Sequence, residues 1–350
     1  MKLNNPALPF HPATPPDWAG NTFDGKEFHY ERDSFRPDWS IIFKMLTTAN
    51  PQRKEKKADD WTPPVATDVS YLDDRSADWI VWLGHACFLL QLGGLRYLID
   101  PQLTDMPFVP RRVFPPFTYD EIRGVDYLLL SHDHRDHVDK KCIKAICKNN
   151  AIRKILCPLK LGNLIGGWVG DTPIEEAGWY QTYATPGTGV DITFLPSRHW
   201  CRRGLTDFNH HLWGSFMIQY SGGDAGTKEG ERAAGAFPQR TIYFGGDSAQ
   251  TSYWADIGRM FPGIDVAMLG IGAYKPEFMM RENHANPAEA FQGFQDLGAR
   301  YFWPMHHGTY DLSNEPASEP ITWARREMRE AGIEERLVQP GVGEKWWFVS

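Results

Sequence analysis

Between an apolar run and a helix-like segment the chain reads Leu128-Leu129-Leu130-Ser131-His132-Asp133-His134-Arg135-Asp136-His137, placing three imidazoles and two carboxylates on one short loop. Imidazole nitrogen and carboxylate oxygen are good ligands for zinc and related divalent cations. Two residues apart on an extended backbone, His132 and His134 point the same way. A polar surface loop carries such residue types singly, but packing does not explain this density. The chemistry that the loop predicts is metal binding, with zinc among the cations that such donors suit.

More candidate ligands recur after later strand-like runs, where sheets tend to build sites. His199 follows the run ending at Leu195, Asp247 follows Thr241 to Gly246, and His306 follows Tyr301 to Pro304. Each alone would more often be an ordinary polar residue. Their repeated position beside the anchor loop makes one shared site the better account. His284 stands just before Asn286-Pro287-Ala288-Glu289, where Asn caps a helix, Pro takes its first turn and Glu closes a capping box. His210 and His211 read as a wet loop, and His11 and His29 carry no assigned role.

The elements that must position these residues begin at Trp79. Short β-rich runs cover Trp79 to Leu83, Cys87 to Leu92 and Leu95 to Ile99, the last two joined by a Gly93-Gly94 turn. Further strands are predicted at Val125 to Leu130, Lys154 to Pro158, Val190 to Leu195, Ser215 to Tyr220, Thr241 to Phe244, Val266 to Leu269 and Tyr301 to Trp303. Helices are predicted over Asp139 to Lys148, after Asn286 and over Ile321 to Ala331. The pattern describes one layered domain, residues 76–350, with helices outside the sheets. Residues 1–75 form an arm packed on it. Within the arm, Trp39 to Leu46 reads as an amphipathic helix whose stripe of Trp39, Ile42, Phe43 and Leu46 packs on the core, or alternatively touches a membrane surface. Ser221 to Gln239 is glycine-rich and reads as a surface loop.

Composition sets the outer bounds. The 350 residues, 42% hydrophobic, are enough for a full core. A net charge of −7 argues against a nucleic-acid partner, which would require clustered cations. The basic run Arg53 to Lys57 is broken by Glu55 and reads as a solvated linker. Five cysteines, with no Cys-x-x-Cys pair, fit free thiols in a reducing compartment. With no apolar run approaching about 18 residues, a cytoplasmic protein is the expectation. Oligomeric state is not legible.

The spacing His-x-His-x-Asp-His, followed by a His, an Asp and a final His after successive strands, resembles the metallo-β-lactamase superfamily over about residues 79 to 345. The resemblance implies an α/β (α+β) fold, a four-layer αββα sandwich. Carried over by position, it implies that His132, His134 and His199 hold one metal and Asp136, His137 and His306 a second, with Asp247 bridging. Two zinc ions are implied, with iron or manganese as alternatives. A water between them would be held as hydroxide, oriented by Asp136 and Asp247. Gly84-His85-Ala86 and Leu98-Ile99-Asp100-Pro101 resemble the superfamily's opening hairpin, where Asp100 buttresses the metal loop and His85 could contact a ligand from behind.

A narrower likeness lies in Pro196-Ser197-Arg198-His199-Trp200-Cys201, Leu212-Trp213-Gly214-Ser215, Gly245-Gly246-Asp247-Ser248, Ile271-Gly272-Ala273-Tyr274, His284-x-x-Pro287-x-Glu289-Ala290 and His306-His307-Gly308-Thr309. These are similar to the branch containing the N-acylphosphatidylethanolamine-hydrolysing phospholipase D. That branch implies phosphodiester hydrolysis of a phospholipid, with His284 beside the substrate phosphate as a hydrogen-bond donor or acid. It usually has an aromatic residue after the last histidine, where this chain has His307, so His306 is the expected ligand and His307 its competitor. The rival expectations are a metal-dependent lactonase or carboxylic ester or amide hydrolase, and a metal-binding or redox module that hydrolyses nothing.

Overall fold

The computed structural model describes residues 1–32, 39–222 and 239–347. In the arm, α1 (Trp39–Thr47) and α2 (Arg53–Ala58) are followed by β1 (Trp79–Trp82), β2 (Phe88–Leu92), β3 (Leu95–Ile99), β4 (Tyr127–Leu129), α3 (Lys140–Asn149), β5 (Lys154–Pro158) and β6 (Ile174–Ala177). Then come β7 (Val190–Leu195), β8 (Ser215–Tyr220), β9 (Arg240–Phe244), α4 (Tyr253–Met260), β10 (Val266–Gly270), α5 (Pro287–Leu297), β11 (Tyr301–Met305), α6 (Glu319–Glu330) and β12 (Lys345–Trp346).

The strands are apolar at nearly every position because both faces of each sheet are covered. A seven-stranded sheet runs β12-β1-β2-β3-β4-β5-β6 and a five-stranded sheet runs β11-β10-β9-β8-β7. Alternation assigns the two faces. Ile80, Trp82, Phe88, Leu90, Tyr97 and Ile99 face the second sheet and pack with Phe194, Phe216, Phe244 and Trp303. Val81, Leu89, Leu98 and Leu128 face outward onto Cys142, Ile143 and Ile146 of α3. On the far side, Trp254, Phe294 and Ala324 of α4, α5 and α6 close the first core. The result is the expected four-layer αββα sandwich. Pairing is antiparallel through β1, β2 and β3 and parallel from β3 to β6. The parallel β9, β10 and β11 of the other sheet send their C-terminal ends to the same edge.

Several expectations shift. The basic run of Arg53 to Lys57 is helix α2 rather than a linker, with no buried residue, and Lys56 pairs with Asp311. Sequence reasoning missed α4, β6 and β12. In β6 the central Glu175 and Glu176 hide the pattern; Glu175 is paired with Lys154 of β5 at 2.7 Å. Most of the glycine-rich segment, residues 223–238, lies outside the described residues, as do the side chains of Trp39, Ile42 and Leu46. Phe43 on α1 is exposed.

Arm residues lie along the sandwich: Asn5 bonds Gln181 and the Glu176 carbonyl, Asn50 the Asn314 carbonyl, and Asp59 accepts from Ser318. The five cysteines are free. No helix among the described residues is long and apolar enough to cross a membrane.

Helices α4 and α5 cross where glycine is required, because a side-chain carbon at Gly293 would collide with the Trp254 ring and one at Gly258 with the backbone of Asp296 and Leu297. Gly293→Val is expected to cost about 1–3 kcal/mol through overpacking, measured as a lowered urea midpoint. An unchanged midpoint would show that the crossing is not closely packed.

Candidate metal centre

The anchor loop leaves the sheet at the end of β4 and is tied down before α3 begins. Asp100, at the end of β3 with φ of 43°, accepts from the Ser131 amide at 2.8 Å and contacts His137 Nδ1 at 2.8 Å. Asp139 then caps α3 by accepting from the amides of Lys141 and Cys142. These ties leave the opposite nitrogen of His137 facing inward.

Four overlapping groups of ligand-type atoms result among the described residues, each with its atoms within 4.8 Å of one another; of the two largest, the first holds His132, His134, His199 and Asp247, and the second His85, Asp136, His137 and His306. In the first, His134 Nδ1 is 3.0 Å from His132 Nε2 and 3.1 Å from His199 Nε2. In the second, Asp136 Oδ2 lies 3.0 Å from His85, 3.3 Å from His306 and 3.7 Å from His137. Asp247 joins them, with Oδ2 3.2 Å from both His137 and His306, 3.7 Å from His199 and 3.9 Å from His132.

The donor set fits cations. Both oxygens of Asp247, His137 Nε2 and His306 Nε2 are buried without a hydrogen-bond partner among the described residues, and such groups are costly unless something satisfies them. Burial opposes ionisation of Asp247 and Asp136, yet facing imidazoles, His137 first, hold both carboxyls well below their usual range. Burial and neighbouring imidazoles push His132 down; burial likewise lowers His199, with the Asp247 charge working against it. His306 rises to about 9, the pull of Asp247 and Asp136 outweighing its burial. Burial opposes the charge on His137 too, but Asp247 and Asp136 likewise raise it well above the usual imidazole range, so protonated rings beside two ionised carboxylates mark a place where a cation would replace protons.

His284 enters from the turn before α5, its ring 5.1 Å from those of His199 and His306 and its Nδ1 3.9 Å from Asp247 Oδ2. Burial lowers it to about 4, against the pull of Asp247. The capping box is present, and Asn286 accepts from the Glu289 amide at 2.9 Å. His306 turns into the cluster. His307 turns away, its ring stacked 5.3 Å from Trp82 and 6.1 Å from Trp61 of the arm.

The expected wet loop at His211 is corrected. Its Nδ1 lies 2.7 Å from the buried carboxylate of Asp133, inside the anchor loop. Sequence reasoning also missed Arg203, whose Nη1 donates to the carbonyls of Asp133 at 2.6 Å and Val138 at 2.9 Å, and the Asn283 carbonyl, 2.9 Å from His199 Nδ1. Buried Arg111 likewise donates to the carbonyls of Leu83, Gln102 and Val113 beneath the opening hairpin. None of these follows a local spacing rule.

Residues 95–307 match the family described as the beta-lactamase superfamily domain. The chain is 30% identical over 333 residues to N-acyl-phosphatidylethanolamine-hydrolyzing phospholipase D 1 of Caenorhabditis elegans, covering 89% of this chain and 88% of that protein. The mitochondrial protein of the same activity name from Saccharomyces cerevisiae is 27% identical over 278 residues, covering 76% of this chain and 55% of its own length. Among solved structures, an isothiocyanate hydrolase from Delia radicum gut bacteria superposes with a TM-score of 0.58 at 18% identity, covering 78% of this chain and all of that one, a likeness of fold.

Because Asp100 holds His137 from behind, Asp100→Asn is expected to weaken metal retention roughly 10–100-fold while leaving the fold intact. Metal content after stepwise chelation, beside a circular dichroism spectrum, tests this. Wild-type retention in the variant would remove Asp100 from the support of the site.

Proposed function

The chain belongs to the β-lactamase superfamily of metal-dependent hydrolases, and from that premise we propose that it cleaves a phosphodiester bond of a glycerophospholipid, as a phospholipase D acting on N-acylphosphatidylethanolamine-type substrates. The observation that carries this reading is the shared carboxylate of Asp247 between two ligand groups, with His284 beside it. The names of the worm and yeast relatives supply the substrate class.

In this reading His132, His134 and His199 hold one cation and Asp136, His137 and His306 the other, with Asp247 between them. Zinc is the proposed ion, and iron and manganese suit similar donors. Bound there, two cations would supply an activated water and stabilise charge developing on the phosphoryl group. The remaining work belongs to the chain. Asp136 and Asp247 accept hydrogen bonds from the attacking water and fix its direction. His284 donates to a phosphoryl oxygen or to the departing alkoxide. Neutral in the free protein, it is drawn toward its charged form as a phosphodiester anion approaches. No Ser or Cys nucleophile is required.

The test is a substrate panel run on protein whose metal content has been measured, then chelated and reloaded with zinc, iron or manganese. Turnover of N-acylphosphatidylethanolamine, restored by metal and absent in His132→Ala, is expected. Turnover of lactones or carboxylic esters with phosphodiesters ignored would replace the reading by a carbonyl hydrolase. Metal retention with no turnover of any substrate would replace it by a binding or redox module. In the same assay His284→Ala should keep its metal and lose about 10²–10⁴-fold in kcat; an unchanged kcat would remove His284 from the reaction.

A further inference from the structure

Two apolar side chains stand fully in solvent on loops that border the metal centre. Phe108 is completely exposed and has a left-handed backbone, φ 65°, at the tip of a turn closed by reciprocal bonds between Met106 and Val109 at 3.1 Å. A bulky aromatic residue pays twice at such a position, in strain and in hydration, and packing within the chain explains neither. Leu205, 90% exposed, caps the second loop.

Both loops are braced against the stretch from Asp133 to Asp139. Thr104 donates to Asp139 at 2.8 Å and its carbonyl accepts from Tyr310, fixing the Phe108 turn. Arg203 grips the Asp133 and Val138 carbonyls, fixing the Leu205 loop. Arg135 on the anchor loop, Lys140 at the start of α3 and Arg202 on the Leu205 loop are exposed cations. Trp168, half-buried, lies beneath Lys140 at 5.5 Å. The acidic groups of these loops are engaged by backbone amides: Asp105 by Arg111, Asp207 by Gly204 and Asp139 by Lys141. On a chain of net charge −7, this rim is locally basic.

We propose that the rim of the metal centre docks on an anionic lipid bilayer, with Phe108 and Leu205 entering the interface and Arg135, Lys140 and Arg202 meeting the headgroups. Apolar tips with exposed cations on the neighbouring loops are complementary to that surface. The docking deepens the lipid reading above and rests on it for its purpose, since it brings the site to where a phospholipid headgroup lies. The binding itself is measurable without catalysis.

The experiment is co-sedimentation of the metal-loaded full chain with vesicles of phosphatidylcholine alone or mixed with phosphatidylglycerol. Wild type is expected to sediment with the mixed vesicles, and less so as salt rises. The Phe108→Ser/Leu205→Ser and Lys140→Glu/Arg202→Glu pairs should each bind at least about tenfold more weakly. Both pairs should keep wild-type metal content and wild-type turnover of whichever soluble substrate the panel identifies. Wild type that does not sediment, binds the neutral vesicles equally well, or is matched by the variants overturns the docking surface. Intact vesicle binding without cleavage of any lipid overturns the function proposed above and leaves the docking in place.

Discussion

A buried carboxylate that the chain itself does not satisfy governs this structure. Asp247 has both oxygens out of solvent and without a hydrogen bond among the described residues, while imidazoles from the anchor loop, the β7 exit and the β11 exit converge on it. Removing an ionised carboxylate from water is among the most expensive acts in folding. It is tolerated here because the surrounding groups create a site for positive charge. The sandwich can be understood as the frame that makes this tolerable. Strands covered on both faces keep their register because each side chain is packed into a fitted niche, so their ends form a rigid edge from which ligands project.

Support for that edge comes from behind the ligands. Asp100 contacts the far nitrogen of His137, Ser131 Oγ lies 2.9 Å from His132 Nδ1, and the Asn283 carbonyl lies 2.9 Å from His199 Nδ1. Each such contact fixes which nitrogen faces the centre and how the ring is turned. Arg203 and the His211–Asp133 pair do the same for the backbone, gripping a loop that has no ladder of its own. The loop is irregular, yet it is tied down from several sides.

What the sequence made legible was local. The density of His and Asp after an apolar strand, the glycine turn between β2 and β3, and the Asn286–Glu289 capping box all act within a few residues, where pattern and geometry are directly linked. Features of long range were not legible. His211 lies far from Asp133 in sequence, and their contact exists only because the loop after His199 folds back over the anchor loop. The edge strand β6 hid because its central residues are glutamates, Glu175 paired with Lys154 and Glu176 accepting from the Gly162 amide, rather than core residues. The choice between His306 and His307 could not be read from spacing, since adjacent residues differ only in direction. The structure turns His306 inward at φ 61° and stacks His307 on two tryptophans.

The position of His284 carries a consequence for how binding and chemistry are joined. Asn283 places its carbonyl against His199, while the next residue presents the imidazole beside Asp247. One short turn therefore sets the orientation of a candidate ligand and of the imidazole proposed to face the substrate. Its amides bond the Met280 carbonyl, and Ala285 is bonded to the Ser248 carbonyl beside Asp247, so the turn is fixed at both ends. A displacement of His284 by an arriving ligand is thus resisted by hydrogen bonds of the same turn that orients His199. Rigidity at that point favours a substrate that already fits, because the turn cannot be moved without loosening a ligand of the metal centre.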